Sequence, residues 1–196
     1  NKFPDGSAIH GLLYNKPFSL TNELCDSQRA AVSLRHHYKQ TDAGYPFDYT
    51  CDVQYTLLPQ QTLQVDTTLT NQDSSPIPIA DGWHPYFRLA DTIADCRLQF
   101  ASRQQLEFNE HLIPTGRLIK DERFVQPAPL NDTFLDNCFL LQPSPDAPCC
   151  TLYNPANGLL LSIATNDFYP YLQLYTPPHR KSVAIENLSS APNAFN

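Results

Sequence analysis

The stretch YTCDVQYTLLPQQTLQVDTTL, residues 49–69, decides the fold class of this chain. Apolar and polar residues alternate on both sides of a turn at Pro59-Gln60-Gln61. A period of two places the apolar side chains on one face of an extended strand. The stretch therefore predicts an antiparallel pair of strands with one buried face.

Further short segments carry strand patterns along the chain. They are residues 32–36, 96–100, 159–164, 171–176 and 183–186. In the fourth of them, the alternation predicts that Tyr171, Gln173 and Tyr175 share one face. Only residues 22–30, where Asn22 could begin a helix, offer a helical alternative. Many short strands are typical of a β-sandwich or barrel, so we predict an all-β fold with one domain over residues 1–196.

Composition narrows the class of protein. The chain has 196 residues, of which 41% are hydrophobic and 17% charged, as expected for a globular protein that buries a core. Its net charge of −7 makes nucleic acid and anionic membranes poor partners. No run of about 18 apolar residues is present, so we expect no membrane span. Methionine is absent even at position 1, so we expect translation to begin upstream of Asn1.

The six cysteines are scattered and form no CxxC pair. This spacing argues against a zinc site, and we expect no metal or other cofactor. Free, buried thiols are typical of a reducing compartment, so we expect a cytoplasmic protein. An even number of cysteines leaves disulfide bonds open as an alternative.

The segment Asp81-Gly82-Trp83-His84-Pro85-Tyr86-Phe87 concentrates functional side chains. Pro85 biases His84 toward an extended backbone, as a positioned acid or base requires. The neighbouring aromatic rings can enclose a sugar or fill a core. His10 precedes Gly11, where the backbone can approach a ligand, although a histidine at a strand end is the alternative.

Two carboxylates complete the candidate set. Glu186 ends the apolar segment Val183-Ala184-Ile185, where burial would raise its pKa into the range of a general base. Asp136 lies between Leu135 and a strand-like segment, and a turn role is its alternative. Histidine with carboxylates fits proton transfer without covalent catalysis, and two carboxylates also leave a glycosidase open.

The chain resembles the aldose 1-epimerase (galactose mutarotase) family over nearly its whole length. The matching segments occur in the family's order. They are Ile9-His10-Gly11, Gly44-Tyr45-Pro46, Gly82-Trp83-His84-Pro85-Tyr86-Phe87, Leu135-Asp136, Leu172-Gln173-Leu174-Tyr175-Thr176, Ile185-Glu186-Asn187 and Ala191-Pro192-Asn193-Ala194. The His-Pro-Tyr-Phe segment combined with the glutamate near the C-terminus is the most specific match.

The resemblance implies a β-supersandwich that binds a monosaccharide in an open cleft. It implies an isomerase that interconverts the anomers of a free hexose, of the glucose or galactose class, without a cofactor. By the same resemblance, His84 is the general acid, Glu186 the general base and His10 a second active-site histidine. Asp136 would bind sugar hydroxyls, and Gln173 lies in the strand that lines the cleft.

The chain departs from the family pattern near its first residues. Family members usually carry Asn-Arg, followed by a hairpin, before the first histidine, whereas Asn1-Lys2 stands only a few residues before His10. Lys2 would therefore contact the sugar without the bidentate fork of arginine. The family's first strands would precede Asn1, so we expect the sandwich to lack its N-terminal strands.

Two further functions stay open on the same fold. A non-catalytic carbohydrate-binding protein is one, because a fold does not determine an activity. A hexose-phosphate mutarotase is the other, and it should direct an arginine cluster at the cleft. Arg88 and Arg180 are the candidates for that cluster.

Overall fold

A computed structural model describes residues 9–142 and 144–195. These residues form fourteen β-strands, arranged in three antiparallel sheets, and one short 3-10 helix. The prediction of an all-β fold is confirmed. The chain divides into two compact units, residues 1–78 and 79–196, each with its own sheets. The single-domain organisation stays a prediction, and the units are described in turn.

The first unit holds a four-stranded sheet in the order β1-β2-β3-β4. Its strands are β1 (Ser19–Cys25), β2 (Ala30–Lys39), β3 (Asp48–Leu58) and β4 (Thr62–Asn71). The predicted pair at residues 49–69 is confirmed as β3 and β4, with Leu58 opposite Thr62 across the turn. Gln60 and Gln61 take φ values of 60° and 57°, which lets three residues reverse the chain.

The helical alternative for residues 22–30 is wrong, because a turn interrupts the segment. The Asp26 carboxylate oxygen Oδ1 accepts hydrogen bonds from the backbone N–H groups of Gln28 (2.7 Å) and Arg29 (2.9 Å). An aspartate that binds the backbone two and three residues ahead competes with helix formation. The chain therefore reverses here and joins β1 to β2.

The second unit contains a six-stranded and a four-stranded sheet. The six-stranded sheet has the order β5 (Tyr86–Phe87), β14 (Val183–Leu188), β13 (Tyr171–Tyr175), β10 (Asp136–Leu140), β7 (Gln104–Phe108) and β8 (Pro114–Lys120). The four-stranded sheet has the order β12 (Leu160–Ile163), β11 (Cys150–Tyr153), β6 (Arg97–Phe100) and β9 (Ala128–Pro129). The 3-10 helix spans Ile93–Asp95.

A hydrophobic core fixes the orientation of the six-stranded sheet. Leu172 and Leu174 of β13, Val183 and Ile185 of β14 and Phe139 of β10 are all at most 1% exposed. Each fully buried side chain of this size contributes roughly 1.5–3 kcal/mol. Because side chains alternate along a strand, the residues between them face the opposite side, which confirms the shared face predicted for β13.

All six cysteines lie in the described residues and are free thiols, with Cys25 exposed and the other five buried. Within the same residues, no helix is long and apolar enough to cross a membrane.

Candidate active site

His84 and Glu186 face each other because the segment before β5 continues alongside β14, the neighbour of β5 in the sheet. A bridge between Gly82 and Leu188 sets the register, so two residues further along each backbone His84 lies opposite Glu186. The backbone N–H of Trp83 donates to the carbonyl of Asn187 at 3.2 Å, which holds the segment against β14. Backbone pairing with β14 thus holds the segment that carries His84.

The two side chains meet directly. His84 Nε2 lies 3.1 Å from Glu186 Oε1, within hydrogen-bonding distance. The His84 side chain is 34% exposed and the Glu186 side chain only 9%. The imidazole is therefore open to a ligand from solvent, while the carboxylate lies at the floor beneath it.

The surroundings of Glu186 favour its neutral form. Burial raises the pKa of the Glu186 carboxyl from 4.5 to about 8, and the negative charge of Asp136 adds to the rise. A protonated His84 at 3.1 Å would oppose this shift, because an opposite charge stabilises the carboxylate. The Glu186 carboxyl can consequently take up or release a proton near neutral pH.

Gln173 connects the second carboxylate to this pair. It lies opposite Glu186 in the register of β13 and β14, and its Nε2 donates to Asp136 Oδ1 at 3.0 Å. Burial raises the pKa of Asp136, and the hydrogen bond from Gln173 opposes that rise. The other amide atom of Gln173, Oε1, is buried without a hydrogen-bond partner among the described residues. It can accept a hydrogen bond from a ligand hydroxyl or from a protonated Glu186.

Tyr86 supports the imidazole from the side. Its ring stacks on His84 with a centroid separation of 5.0 Å and an interplanar angle of 29°. Burial and the nearby charge of Glu186 raise the pKa of the Tyr86 hydroxyl, which keeps it neutral. The residue as a whole stays 51% exposed, so Tyr86 borders the site as well as supporting His84.

The structure thus brings together four of the six candidate residues: His84, Glu186, Asp136 and Gln173. His10 belongs to the other unit, where it is exposed, takes a φ of 67° and lies 6.3 Å, ring centre to ring centre, from Tyr14. Its role in the site stays a prediction. Lys2 lies outside the described residues.

Cys138 was not selected from the sequence, yet it lies on the same face, opposite Gln173. It is fully buried, and burial together with the charge of Glu186 raises the pKa of its thiol to about 12. Its thiol is therefore uncharged and fills space beside the carboxylates. Cys138 lies two residues after Asp136 in a strand-like segment, so the sequence could have predicted that both side chains share one face.

The two candidate arginines bind protein acceptors. Arg88 donates to Asp91 Oδ1 at 2.8 Å and to the Ala90 carbonyl, and Arg180 donates to the carbonyls of Asn131 and Thr133. Arg180 thereby braces the loop that leads into β10. Within the described residues, no cluster of three or more His, Cys, Asp or Glu side chains could hold a metal ion.

A family model described as Aldose 1-epimerase matches residues 1–196, the whole chain. The chain belongs to the aldose 1-epimerase family.

Proteins similar to this chain include an uncharacterized protein and an epimerase. The chain is 28% identical over 200 residues to an uncharacterized protein of Escherichia coli, YihR, matching 100% of this chain and 63% of that protein. It is 25% identical over 194 residues to a maltose epimerase of Levilactobacillus brevis, matching 84% of this chain and 56% of the relative. The chain therefore spans less than two thirds of the length of these relatives.

Solved structures share the fold. A galactose mutarotase-like protein from Clostridium acetobutylicum superposes with a TM-score of 0.86 at 16% identity, covering 96% of this chain and 60% of that protein. The galactose 1-epimerase of Lactobacillus acidophilus superposes with a TM-score of 0.73 at 20% identity, covering 87% and 57%. The fold expected from the resemblance to aldose 1-epimerases, a galactose mutarotase-like arrangement of antiparallel sheets, is confirmed.

Proposed function

We propose that the protein is an aldose 1-epimerase that interconverts the α and β anomers of a free hexose of the glucose or galactose class. The observation that carries the proposal is the contact between His84 and Glu186. An imidazole and a buried carboxyl with a pKa near 8 lie 3.1 Å apart on one face of the sheet. Such a pair suits general acid–base catalysis at neutral pH.

The reaction needs two proton transfers around one carbon. Glu186 removes the proton from the hydroxyl on C1 while His84 donates a proton to the ring oxygen, and the C1–ring oxygen bond breaks. The open-chain aldehyde then rotates about the C1–C2 bond. Closure on the other face returns both protons, with Glu186 as acid and His84 as base.

The geometry of the pair suits this sequence of steps. The C1 hydroxyl oxygen and the ring oxygen are bonded to the same carbon, so the acid and the base must converge on one small area. The contact of His84 with Glu186 satisfies this requirement. Each group acting as acid or base would contribute about 10²–10⁴-fold to the rate.

Asp136 and Gln173 are the proposed ligands of the sugar hydroxyls. Asp136 Oδ1 is held by the Gln173 amide at 3.0 Å, which leaves Oδ2 to accept from a hydroxyl, and Gln173 Oε1 is a buried acceptor without a protein donor. The occupied guanidinium groups of Arg88 and Arg180 support a free sugar over a phosphorylated one. His10 and Lys2 are proposed contacts from the N-terminal part of the chain.

Polarimetry tests the proposal. Freshly dissolved α-D-glucose and α-D-galactose should reach their equilibrium rotation faster with the protein than in buffer, in proportion to protein concentration. A non-catalytic sugar-binding protein would bind the sugar, as measured by calorimetry, without accelerating the change. Binding without acceleration for either sugar would refute the enzymatic function and support the binding protein.

A further inference from the structure

The backbone of Asp81 is fastened to the residue that follows β14. The N–H of Asp81 donates to Ser189 Oγ at 2.8 Å, and the N–H of Ser189 donates to the carbonyl of Asp81 at 2.9 Å. Asp81 lies three residues before His84, and Ser189 lies three residues after Glu186. These two hydrogen bonds therefore hold the start of the segment that carries His84 against the end of β14.

A tyrosine from a third segment binds the side chain of Asp81. The hydroxyl of Tyr169, two residues before β13, donates to Asp81 Oδ2 at 2.7 Å. A hydrogen bond from a hydroxyl to a carboxylate is shorter than one between neutral groups and roughly twice as strong. Because β14 lies between β5 and β13 in the sheet, this bond crosses the end of β14. Asp81, Tyr169 and Ser189 are together called the Asp81 cluster below.

The Asp81 cluster is separated from the atoms that would exchange protons. It lies three residues along the backbone from His84 and from Glu186, which is roughly 10 Å in an extended chain. A group that donates or accepts a proton must approach to about 3 Å. The cluster can therefore affect the reaction only through the position of the segments that it joins.

The segment that carries His84 has a short backbone ladder with β14. Pro85 has no N–H to donate, and β5 itself is only two residues long. In contrast, β13 pairs along its whole length with both β10 and β14. Loss of the bond between Tyr169 and Asp81 should consequently move His84 and leave Gln173 of β13 in place.

We propose that Asp81 and Tyr169 are positioning residues, which hold the imidazole of His84 against Glu186 for proton transfer. This inference rests on the proposed epimerase function. Acid–base catalysis is sensitive to such positioning, because a displacement near 1 Å can lower a rate by about 10²-fold. The bond should therefore affect kcat more than KM, since the groups proposed to bind the sugar stay in place.

Tyr169→Phe tests the bond directly, because it removes only the hydroxyl and keeps the ring. We expect kcat, measured by polarimetry with α-D-glucose or α-D-galactose, to fall about 5–10-fold while KM stays within about 2-fold. Asp81→Asn retains an oxygen that can accept from Tyr169, so it should keep kcat within about 3-fold. Tyr153→Phe is the matched control and should change neither constant, because Tyr153 lies in β11 of the other sheet and is 37% exposed.

A double-mutant cycle separates positioning from general destabilisation. Asp81→Ala breaks the same bond from the other side, so combining it with Tyr169→Phe should lower kcat no further than the more severe single variant. All rates are measured well below the melting temperature of each variant, so that unfolding does not contribute. In an active wild-type protein, a lower melting temperature with unchanged kcat, a change confined to KM, or losses of kcat that multiply in the double variant would overturn the inference.

A spectroscopic measurement separates this inference from the proposed function. If the wild-type protein accelerates no sugar, the epimerase function fails, and the nitrogen NMR signals of the His84 imidazole then test the positioning alone. Signals that move in Tyr169→Phe and not in Tyr153→Phe would support the role of the Asp81 cluster. Signals that stay unchanged in Tyr169→Phe, or that move equally in both variants, would overturn it.

Discussion

Gln173 lies directly opposite Glu186 across β13 and β14, and its amide reaches the other way to hold Asp136 at 3.0 Å. Three polar side chains from three neighbouring strands therefore lie together on the face opposite the core. Because this face is largely buried around Glu186, the charges of the two carboxylates disfavour each other. The behaviour of Glu186 thus depends on its neighbours as much as on its own burial.

Glu186→Gln should abolish catalysis and preserve the fold. Gln has nearly the same shape as Glu but cannot accept a proton at neutral pH, so we expect the enzymatic rate to fall at least about 10²-fold. Polarimetry measures the rate, and circular dichroism checks the fold. Glu110→Gln changes a side chain that is 88% exposed and should keep the wild-type rate. A fully active Glu186→Gln variant would show that another group is the base.

The same variant should be more stable than the wild type at alkaline pH. The folded-state pKa of Glu186 is raised from 4.5 to about 8, so the folded protein favours the neutral carboxyl. The stability that this carboxyl contributes is complete below pH 4.5 and is lost as the pH rises through about 8. Gln stays neutral throughout, so above pH 8 the variant should gain about 2 kcal/mol, less than the full shift converts to, because a hydrogen bond donated by His84 Nε2–H also stabilises the charged carboxylate. Thermal melts from pH 5 to pH 9 measure the difference, and equal melting temperatures at pH 9 would contradict the raised pKa.

As the pH is lowered, the rate should fall at a pH above the ordinary pKa range of a glutamate side chain. This fall is called the acid limb of the pH profile. Lowering the pH protonates Glu186 and removes the base, so kcat/KM should fall with a midpoint between 4.5 and about 8. Asp136→Asn removes the negative charge that helps to raise the pKa of Glu186, so it should move this limb to lower pH. It should also raise KM, because a carboxylate that would bind sugar hydroxyls is lost.

Asp132→Asn is the matched control for this pH experiment. Asp132 is exposed and lies four residues earlier in the chain, so its replacement should leave the midpoint and KM unchanged. An acid limb near pH 4 in the wild type, or a limb that does not move in Asp136→Asn, would contradict the role assigned to the carboxylate pair.

The alternation of apolar and polar residues predicted much of the fold, because the strand pattern depends on residues that are neighbours in the sequence. The alternation at residues 49–69 identified β3 and β4, and the alternation at Tyr171, Gln173 and Tyr175 identified the face that carries the site. The strands β7 and β8 were not predicted, since Gln104–Phe108 and Pro114–Lys120 lack a clear apolar alternation. Their positions depend on pairing with each other and with β10.

The site itself depends on contacts between distant residues. His84 and Glu186 are separated by about a hundred residues, and they meet only because the segment before β5 pairs with β14. Sequence periodicity does not reveal which strands pair. The residues alone therefore left open whether His84 and Glu186 act as acid and base or have only structural roles. The family resemblance supplied the pairing, and the 3.1 Å contact now gives it a physical basis. The hydrogen bond from Gln173 to Asp136 could not be predicted from sequence, because both residues are common at strand surfaces.

Gly82→Ala tests whether the close approach of β14 positions His84. A Cβ at Gly82 would collide with the end of the Leu188 side chain and lie 3.2 Å from the backbone carbonyl of Asn187. The leucine side chain can rotate, but the carbonyl belongs to the strand, so the segment that carries His84 must shift by a few tenths of an ångström. Overpacking of this kind costs about 1–3 kcal/mol. A displacement near 1 Å can lower a rate by about 10²-fold, so a smaller shift should have a smaller effect. We expect a lower melting temperature and a fall of at least about 10-fold in kcat, whereas Gly44→Ala should change neither, since open space surrounds Gly44. A Gly82→Ala variant with wild-type stability and rate would show that this contact does not position the histidine.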